Sequence, residues 1–325
     1  MKNYSKQVYI ALLSIMSLCL LMDYVSGAGF LGSWVTPPVA LFLGLVFALT
    51  LGQPFPKFNK KASKMLLQYS VVGLGFGMNL QKSLQSGAEG MAFTIISVVG
   101  TMLIGWIIGR KLLKVDRITS YLISSGTAIC GGSAIAAVGP VVKAKDAEMS
   151  VSLGTIFILN AIALFIFPPI GEALGMTQQQ FGTWAAIAIH DTSSVVGAGQ
   201  AYGEEALQIA TTIKLTRALW IIPLALVSSL IFKSKGQRIS IPWFILFFVL
   251  AMIFNTYVLE PTEMGSAIGS FINGIARKSL TVTLFFIGAS LSLDVLKTVG
   301  VKPLIQGVLL WIVISLSTVA YIYCF

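Results

Sequence analysis

AIHDTSSVVGAGQAYG, residues 188–203, interrupts an apolar chain with a cluster of ionisable residues, hydroxyl-bearing residues and glycines. The stretch holds the chain's single histidine, His190, followed by Asp191 and then by a run of hydroxyl-bearing residues and glycines. What such an interruption does depends on the class of protein that contains it.

Composition identifies that class. The 325 residues are 56% hydrophobic and only 10% charged, with a mean hydropathy of +0.87, whereas soluble domains carry about 25% charged residues. The sequence therefore predicts an integral membrane protein, and its net charge of +10 indicates cytoplasmic loops rather than nucleic-acid binding. Cys19, Cys130 and Cys324 lie in apolar stretches without metal-ligand spacing, so neither a disulfide framework nor a metal site is expected.

Apolar runs of about 20 residues predict an all-α polytopic fold with about eleven transmembrane segments. A basic start before the first run also resembles a signal peptide, but the number of later segments favours a retained helix. Glycine, serine and threonine punctuate two of the segments, 118–142 and 180–203, so these are predicted to be discontinuous or re-entrant. The eleven segments are 8–25, 34–52, 62–80, 91–109, 118–142, 151–170, 180–203, 206–232, 241–258, 276–293 and 302–324.

Basic residues set the predicted orientation. They cluster at 57–64, 110–117 and 233–238, and the positive-inside rule places these loops and the N-terminus on the cytoplasmic side of the membrane. If 118–142 and 180–203 both enter the membrane and return to the side they came from, the other loops keep the sides given by eleven crossing segments. Only the loops 143–150 and 171–179 then change sides. Lys143 and Lys145 favour this alternative weakly, and the sequence leaves it open.

Internal similarity suggests a repeat. AICGGSAIAAVG (128–139) aligns without gaps with AIHDTSSVVGAG (188–199), and VVGLGFGMNL (71–80) resembles LFFIGASLSL (284–293). We interpret 1–325 as one transporter domain, with an extra N-terminal helix at 8–25 and two inverted five-helix halves at 34–170 and 180–324. Inverted repeats with broken helices are typical of secondary transporters. The alternative is that small residues recur because they allow close helix packing.

A broken helix inside a membrane supplies the chemistry of a site. Its free backbone groups need protein or a wet cavity, and a helix N-terminus there attracts anions. New helices are expected to begin near Ser133 and at Thr192 or Ser193 as N-caps. The predicted substrate-binding residues are Cys130, Gly131, Gly132, Ser133, His190, Asp191, Thr192, Ser193, Ser194, Lys214 and Arg217, and weaker candidates are Gly75, Asn79, Asn160, Gly288, Ser290 and Ser292.

The charged candidates each allow two interpretations. Lys214 and Arg217 share one helix face and serve either as inward counter-charges for an anion or as cations that snorkel to the interface. His190 and Asp191 are either a proton-coupling pair or a structural pair in which Asp191 caps the second helix.

These stretches carry a family resemblance. SGTAICGGSAIAAVGPVV (125–142), AIHDTSSVVGAGQAYG (188–203) and TIKLTRALWIIPLAL (212–226) resemble the YeiH-type family of bacterial membrane proteins, which are described as sulfate exporters. The resemblance covers nearly the whole chain, although many members have Glu where this chain has Asp191. It implies a fold similar to the sodium/proton antiporter and bile-acid symporter superfamily, and a secondary carrier of the cytoplasmic membrane.

The sequence thus favours a secondary transporter that exports a small anion such as sulfate or an organosulfonate. No nucleotide-binding motif of the GxxxxGK[ST] type is present, so coupling to a proton or sodium is expected, with no cofactor and no enzymatic activity. The alternatives are a cation/proton antiporter that uses Asp191 and an intramembrane enzyme that uses Cys130 and His190. The expected partners are the solute, the coupled ion and the bilayer, and a homodimer is left open.

Overall fold

The computed structural model describes residues 2–26, 35–81, 91–232, 243–290 and 299–324. The chain divides into two compact units. The first unit comprises Met1–Lys82 and Pro242–Leu293, and the second comprises Ser83–Ile241 and Asp294–Phe325. Every regular element in the described ranges is helical, as the composition predicts.

The first unit is held together by close helix contacts. A Cβ atom on Gly44 would collide with the backbone at Phe285, and one on Gly288 would collide with the backbone at Leu41. These two glycines therefore let the helix backbones touch, as small residues do in membrane proteins. The described helices of this unit are α1 (Lys2–Ser26), α2 (Pro37–Thr50), α3 (Pro56–Gly75), α12 (Trp243–Phe254, continued by a π-helical turn at Asn255–Leu259) and α13 (Glu263–Ser290).

The second unit contains both interrupted segments. Its longest helix, α7, carries acidic residues in its first turn, where they complement the positive helix end. The helices are α4 (Met91–Trp106, continued by a π-helical segment at Ile107–Leu112), α5 (Arg117–Ala128), α6 (Gly132–Val141), α7 (Asp146–Ala173), α8 (Gln178–Ala188), α9 (Thr192–Tyr202), α10 (Glu204–Ala218), α11 (Ile221–Ile231) and α14 (Val301–Cys324).

Five stretches of the described helices are long and apolar enough to cross a membrane by themselves. The interrupted segments are not among them, because their halves have only 10 to 12 residues. The predicted total of eleven segments and the two-halves layout stay predictions. The five stretches are Ser5–Tyr24, Phe93–Leu112, Asp146–Ala173, Glu204–Ile231 and Val301–Cys324.

The first interrupted segment is a hairpin. In α5, the carbonyl of Thr119 lies 3.4 Å from the Ser152 hydroxyl, at the start of α7. A Cβ on Gly126, two turns later, would lie 3.2 Å from the side chain of Ile156, so α5 runs parallel to α7. Helix α6 runs the other way, since Gly132 lies beside Phe157 and Gly139 lies beside Met149. Helices α5 and α6 are therefore antiparallel, and their connection at 129–131 is the tip of the hairpin.

The second interrupted segment also folds back on itself. The Tyr202 hydroxyl, at the end of α9, donates to the carbonyl of Met176, just before α8, at 2.6 Å. The rings of Phe181 and Tyr202 stack with their centroids 3.8 Å apart. The start of α8 and the end of α9 thus form the base of this hairpin, and residues 189–191 form its tip.

The two hairpins enter from opposite ends of α7. The base of the first lies at the N-terminal end of α7, near Ser152. The base of the second lies at the C-terminal end, where Gly171 packs against Phe181 and Tyr202. This geometry agrees with the re-entrant alternative, in which residues 143–145 lie on the same side as residues 113–116.

Candidate functional site

The two hairpin tips meet beside the middle of α7. A Cβ on Gly131 would lie 3.1 Å from the carbonyl oxygen of His190 and 3.0 Å from the side chain of Ile156. The Asn160 side chain, one turn further along α7, accepts a hydrogen bond from the backbone N–H of His190 at 3.1 Å. The gapless alignment of 128–139 with 188–199 thus superimposes one tip on the other. The tips contain four of the predicted site residues, Cys130, Gly131, His190 and Asp191.

Gly131 is required by the shape of the first tip. Its φ of 63° lies in the left-handed region, which costs other L-residues roughly 1–2 kcal/mol. The contacts with Ile156 and His190 are also tight, so a side chain would displace a neighbour. The new helix begins at Gly132, one residue before the predicted Ser133.

The two buried cations bind the C-terminal ends of the first helix of each hairpin. Lys214 Nζ donates to the carbonyls of Ala186 and Ile189 at 3.2 and 2.7 Å, which end α8. Arg217 Nη2 donates to the carbonyl of Ala128 at 2.6 Å, at the end of α5. Both side chains are 0% exposed, so they point inward and do not snorkel to the interface. Carbonyls left unpaired in hydrocarbon each cost several kcal/mol, and a cation is favourable at a helix C-terminus.

The N-terminal ends of the second helices differ from each other. Asp191 caps α9, accepting hydrogen bonds from the backbone N–H of Ser193 and Ser194 at 3.1 and 3.3 Å and from the Ser193 hydroxyl. The N-cap is therefore Asp191, as one of the two interpretations of that residue predicted, and not Thr192 or Ser193. No side chain caps α6. The N-terminus of α6 is thus the end whose positive partial charge is not already met by a carboxylate.

Several buried polar atoms beside the tips have no hydrogen-bond partner among the described residues. They are both ring nitrogens of His190, the amide nitrogen of Asn160, Nε of Arg217 and the hydroxyl of Thr127. Buried polar groups in proteins are almost always hydrogen-bonded, so such groups require an explanation. Since amide and guanidinium nitrogens are donors, this set suits a ligand that accepts hydrogen bonds.

The site is not sealed from its surroundings. His190 is 1% exposed and Ser194 is 5% exposed, whereas Asp191 is partly exposed and Ser133 is exposed. Asp191 and the first turn of α6 therefore lie at the less buried edge of the site, whereas His190 is fully enclosed.

Cys130 lies in the first tip with 1% of its surface exposed. Because the His190 ring nitrogens have no hydrogen-bond partner in the described part of the chain, no Cys130–His190 pair of the kind that activates a thiol is formed in this geometry.

The weaker candidates, apart from Asn160, lie in the first unit. A Cβ on Gly75 would press against the backbone of Phe248 at 2.7 Å, so Gly75, like Gly288, packs helices together. The Asn79 side chain donates to Glu260 at 2.9 Å. Ser290 is the last residue of α13, with a side chain outside the described part, and Ser292 lies outside the described residues.

Two residues at the site were missed by sequence reasoning. The Ser97 hydroxyl accepts a hydrogen bond from Arg217 Nη1 at 2.8 Å, and the buried Thr127 lies one residue before the carbonyl that Arg217 binds. Their only signal is a hydroxyl in an apolar run, and such residues often hydrogen-bond their own helix instead.

Comparison with known proteins identifies the family of the chain. A family model described as Conserved hypothetical protein 698 matches residues 10–307. A UPF0324 membrane protein of Bacteroides thetaiotaomicron is 74% identical over 323 residues, which cover 99% of this chain and 97% of that protein. The chain belongs to the YeiH-type, or UPF0324, family of membrane proteins.

Further UPF0324 relatives match over similar lengths. One from Porphyromonas gingivalis is 61% identical over 98% of this chain and 97% of its own length. One from Photobacterium profundum is 50% identical over 89% of this chain and 87% of its own length. No solved structure matches the chain. The match to the family model therefore includes both hairpins of this UPF0324 protein and the helix α10 that binds them.

Proposed function

We propose that this protein is a secondary active transporter that exports a small anion, such as sulfate or an organosulfonate, across the cytoplasmic membrane. The observation that carries the proposal is the meeting of two opposed hairpin tips beside two buried cations. The membrane-protein family and the helical fold are consistent with a transporter, and the solute is inferred from the charges and donors at the tips.

The charge balance favours an anion. Lys214 and Arg217 are the only fully buried lysine and arginine side chains among the described residues, and the nearby acid at the tips is Asp191. With Lys214, Arg217 and Asp191 all ionised, the site carries one net positive charge, because the backbone carbonyls that bind the cations are neutral overall. A buried unpaired charge is unfavourable, and a negatively charged solute would neutralise it.

The donors around the tips suit an oxyanion. The first turn of α6 presents backbone N–H groups without a side-chain cap, and helix N-termini bind sulfate and carboxylate groups readily. Asn160 and Arg217 each keep a buried nitrogen that has no partner among the described residues. A tetrahedral oxyanion offers several acceptor oxygens to such a set.

The opposed hairpins favour transport over static binding. Each tip is separated from its own base by one short helix of 10 to 12 residues, and the bases lie at opposite ends of α7. Small rearrangements of one hairpin would thus open the same site to one side at a time, as in carriers with a midplane site between repeats. His190 and Asp191 are then the groups that couple solute movement to protons.

A cation/proton antiporter is the second candidate. It is favoured by the partial exposure of Asp191, because an accessible carboxylate inside a membrane suits a small cation. In this alternative the carboxylate must leave the N-terminus of α9 to bind its ion.

Transport by the purified protein in proteoliposomes distinguishes the two functions. Labelled sulfate and methanesulfonate are followed at several proton gradients, with and without sodium. We expect flux of one of these anions that depends on the proton or sodium gradient. Sodium movement against protons without any anion flux would overturn the proposal and establish the antiporter.

A further inference from the structure

A groove on the second unit lies apart from the hairpin tips. It has a volume of about 460 Å³ and is walled by residues of α4, α5 and α11. Ligand pockets commonly have volumes of roughly 300–1,000 Å³, so the groove is large enough for part of a small molecule or lipid.

The long walls of the groove are apolar and open. Val99 and Leu103 of α4 and Val227 of α11 line it, and they are 52%, 59% and 49% exposed. Exposed aliphatic walls between membrane helices suit an acyl chain, because the chain continues the hydrocarbon environment that surrounds such helices.

One end of the groove is basic. Arg110 and Arg117 line that end, where Arg110 Nη1 donates to the Val115 carbonyl at 2.6 Å and the Arg117 guanidinium lies 4.8 Å from the Phe232 ring. Each guanidinium has five N–H donors, so both keep donors for an oxyanion. The Asp116 carboxylate beside them accepts hydrogen bonds from the Ile118 and Thr119 amides at 2.9 and 3.1 Å.

An aromatic–basic pair marks the same end as a membrane interface. The Lys111 ammonium lies over the Trp106 ring, 5.0 Å from the ring centroid. Trp residues concentrate at the headgroup level of membranes, and Lys and Arg flank cytoplasmic ends.

The length of the groove matches one leaflet. Val98 on α4 and Arg110 on its π-helical continuation line the two ends of the groove. They are twelve positions apart, which corresponds to at most about 18 Å at the α-helical rise of 1.5 Å per residue. Half of a hydrocarbon core of about 30 Å is about 15 Å. A lipid with its headgroup at Arg110 would thus reach the level of Val98 with its chain.

We propose that this groove binds an anionic phospholipid of the leaflet nearest Arg110 and Arg117. The two guanidinium groups hold the phosphate, through the bidentate hydrogen bonds that arginine forms with such groups, and one acyl chain lies between α4 and α11. Basic pockets between membrane helices recognise anionic headgroups in this way. The charge at one end and the length of the apolar walls together favour a lipid over a protein partner.

Thermal unfolding of the delipidated protein in detergent tests the proposal. Three probes are titrated: dioleoyl phosphatidylglycerol, dioleoyl phosphatidylcholine and glycerol 3-phosphate. We expect saturable stabilisation by phosphatidylglycerol alone, and an Arg110→Gln/Arg117→Gln double variant that weakens its apparent affinity at least about tenfold, since each basic residue contributes to anionic-lipid binding. Val99→Trp fills the groove without changing charge and should weaken the same response.

A matched control removes the same charge elsewhere. Lys57 and Lys61 are exposed residues of α3 in another basic cluster, and Lys57→Gln/Lys61→Gln should keep the wild-type response. If the double arginine variant does not fold, Val99→Trp decides the question. Equal responses to both phospholipids, an equal response to glycerol 3-phosphate, or full affinity in Val99→Trp would overturn the proposal.

Discussion

Lys214 and Arg217 combine a structural task with an electrostatic one. Their hydrogen bonds go to the backbone at Ala128, Ala186 and Ile189, so a neutral variant would leave carbonyls unpaired in a buried site. The carbonyls carry no net charge, however, so the positive potential of the two cations persists at the tips. The electrostatic potential of both charges would therefore attract an anionic solute that contacts neither side-chain nitrogen.

Gly131→Ala should destabilise the protein. The left-handed φ of 63° costs alanine roughly 1–2 kcal/mol, and the new methyl group also presses on Ile156 and on the His190 carbonyl. Gly175→Ala is the matched control, because Gly175 has a φ of 64° and nothing within 4 Å of the new methyl group. Melting temperatures in detergent should fall further for Gly131→Ala than for Gly175→Ala. Equal losses would show that the two tips are not in contact.

Asp191 can be tested by separating its cap from its charge. Asn caps helices about as well as Asp, whereas Ala costs about 0.5–2 kcal/mol, so Asp191→Asn should melt near the wild type and Asp191→Ala below it. Transport in proteoliposomes should be lost in both, since both lack the carboxylate. Wild-type flux with an unchanged dependence on the proton gradient in Asp191→Asn would leave Asp191 as a cap alone.

His190→Ala should also abolish transport while the protein stays folded. The imidazole makes no hydrogen bond to any described residue, so little structure depends on its ring nitrogens. Transport at the wild-type rate, measured in the same proteoliposomes, would remove His190 from the mechanism.

Helix α10 joins the two hairpins. Lys214 binds the second tip and Arg217 binds the first, and one helical turn of α10 separates the two residues. Because both residues belong to one helix, we expect movement of either tip to affect the other through α10. Both cations thus connect α10 to the hairpins through hydrogen bonds to their backbones.

The hairpin geometry predicts which loops share a side of the membrane. Lys111, Lys145 and Gln179 are exposed, and each can be changed to Cys in a variant whose own three cysteines are replaced. A membrane-impermeant maleimide should label positions 111 and 145 from the same side and position 179 from the other. Labelling of 111 and 145 from opposite sides would mean that 117–141 crosses the membrane once and is not a hairpin.

The positions of the breaks were predictable because glycine, hydroxyl and ionisable residues are unfavourable in a continuous membrane helix. Helix α6 begins at Gly132 and α9 begins at Thr192, within one residue of the predicted starts. The partners of Lys214 and Arg217 were not predictable, because those partners are mostly backbone carbonyls and every residue has one. Gly75 and Gly288 were ambiguous because a glycine that packs helices and one that lines a site look alike in sequence.

Among the residues that the structure describes, the fully buried positive charges lie together at one place. The net charge is +10, yet Lys214 and Arg217 are the only lysine and arginine described as fully buried. Most other described basic residues are exposed, as membrane topology requires. The second unit therefore contains both opposed hairpins and both buried cations, and the proposed solute site lies there.

Equilibrium binding of labelled sulfate and methanesulfonate to the purified protein tests that placement most directly. We expect saturable binding of at least one of these anions by the wild type. The control variant Lys143→Gln, which removes an exposed charge, should bind as the wild type does. Arg217→Gln should lose at least about tenfold in affinity, since an unshielded charge contributes more than about 1.4 kcal/mol to binding at such a site. Folding of each variant is checked by its melting temperature. Anion affinity that is the same in folded Arg217→Gln as in the wild type, or absent from the wild type, would contradict a solute site at the hairpin tips.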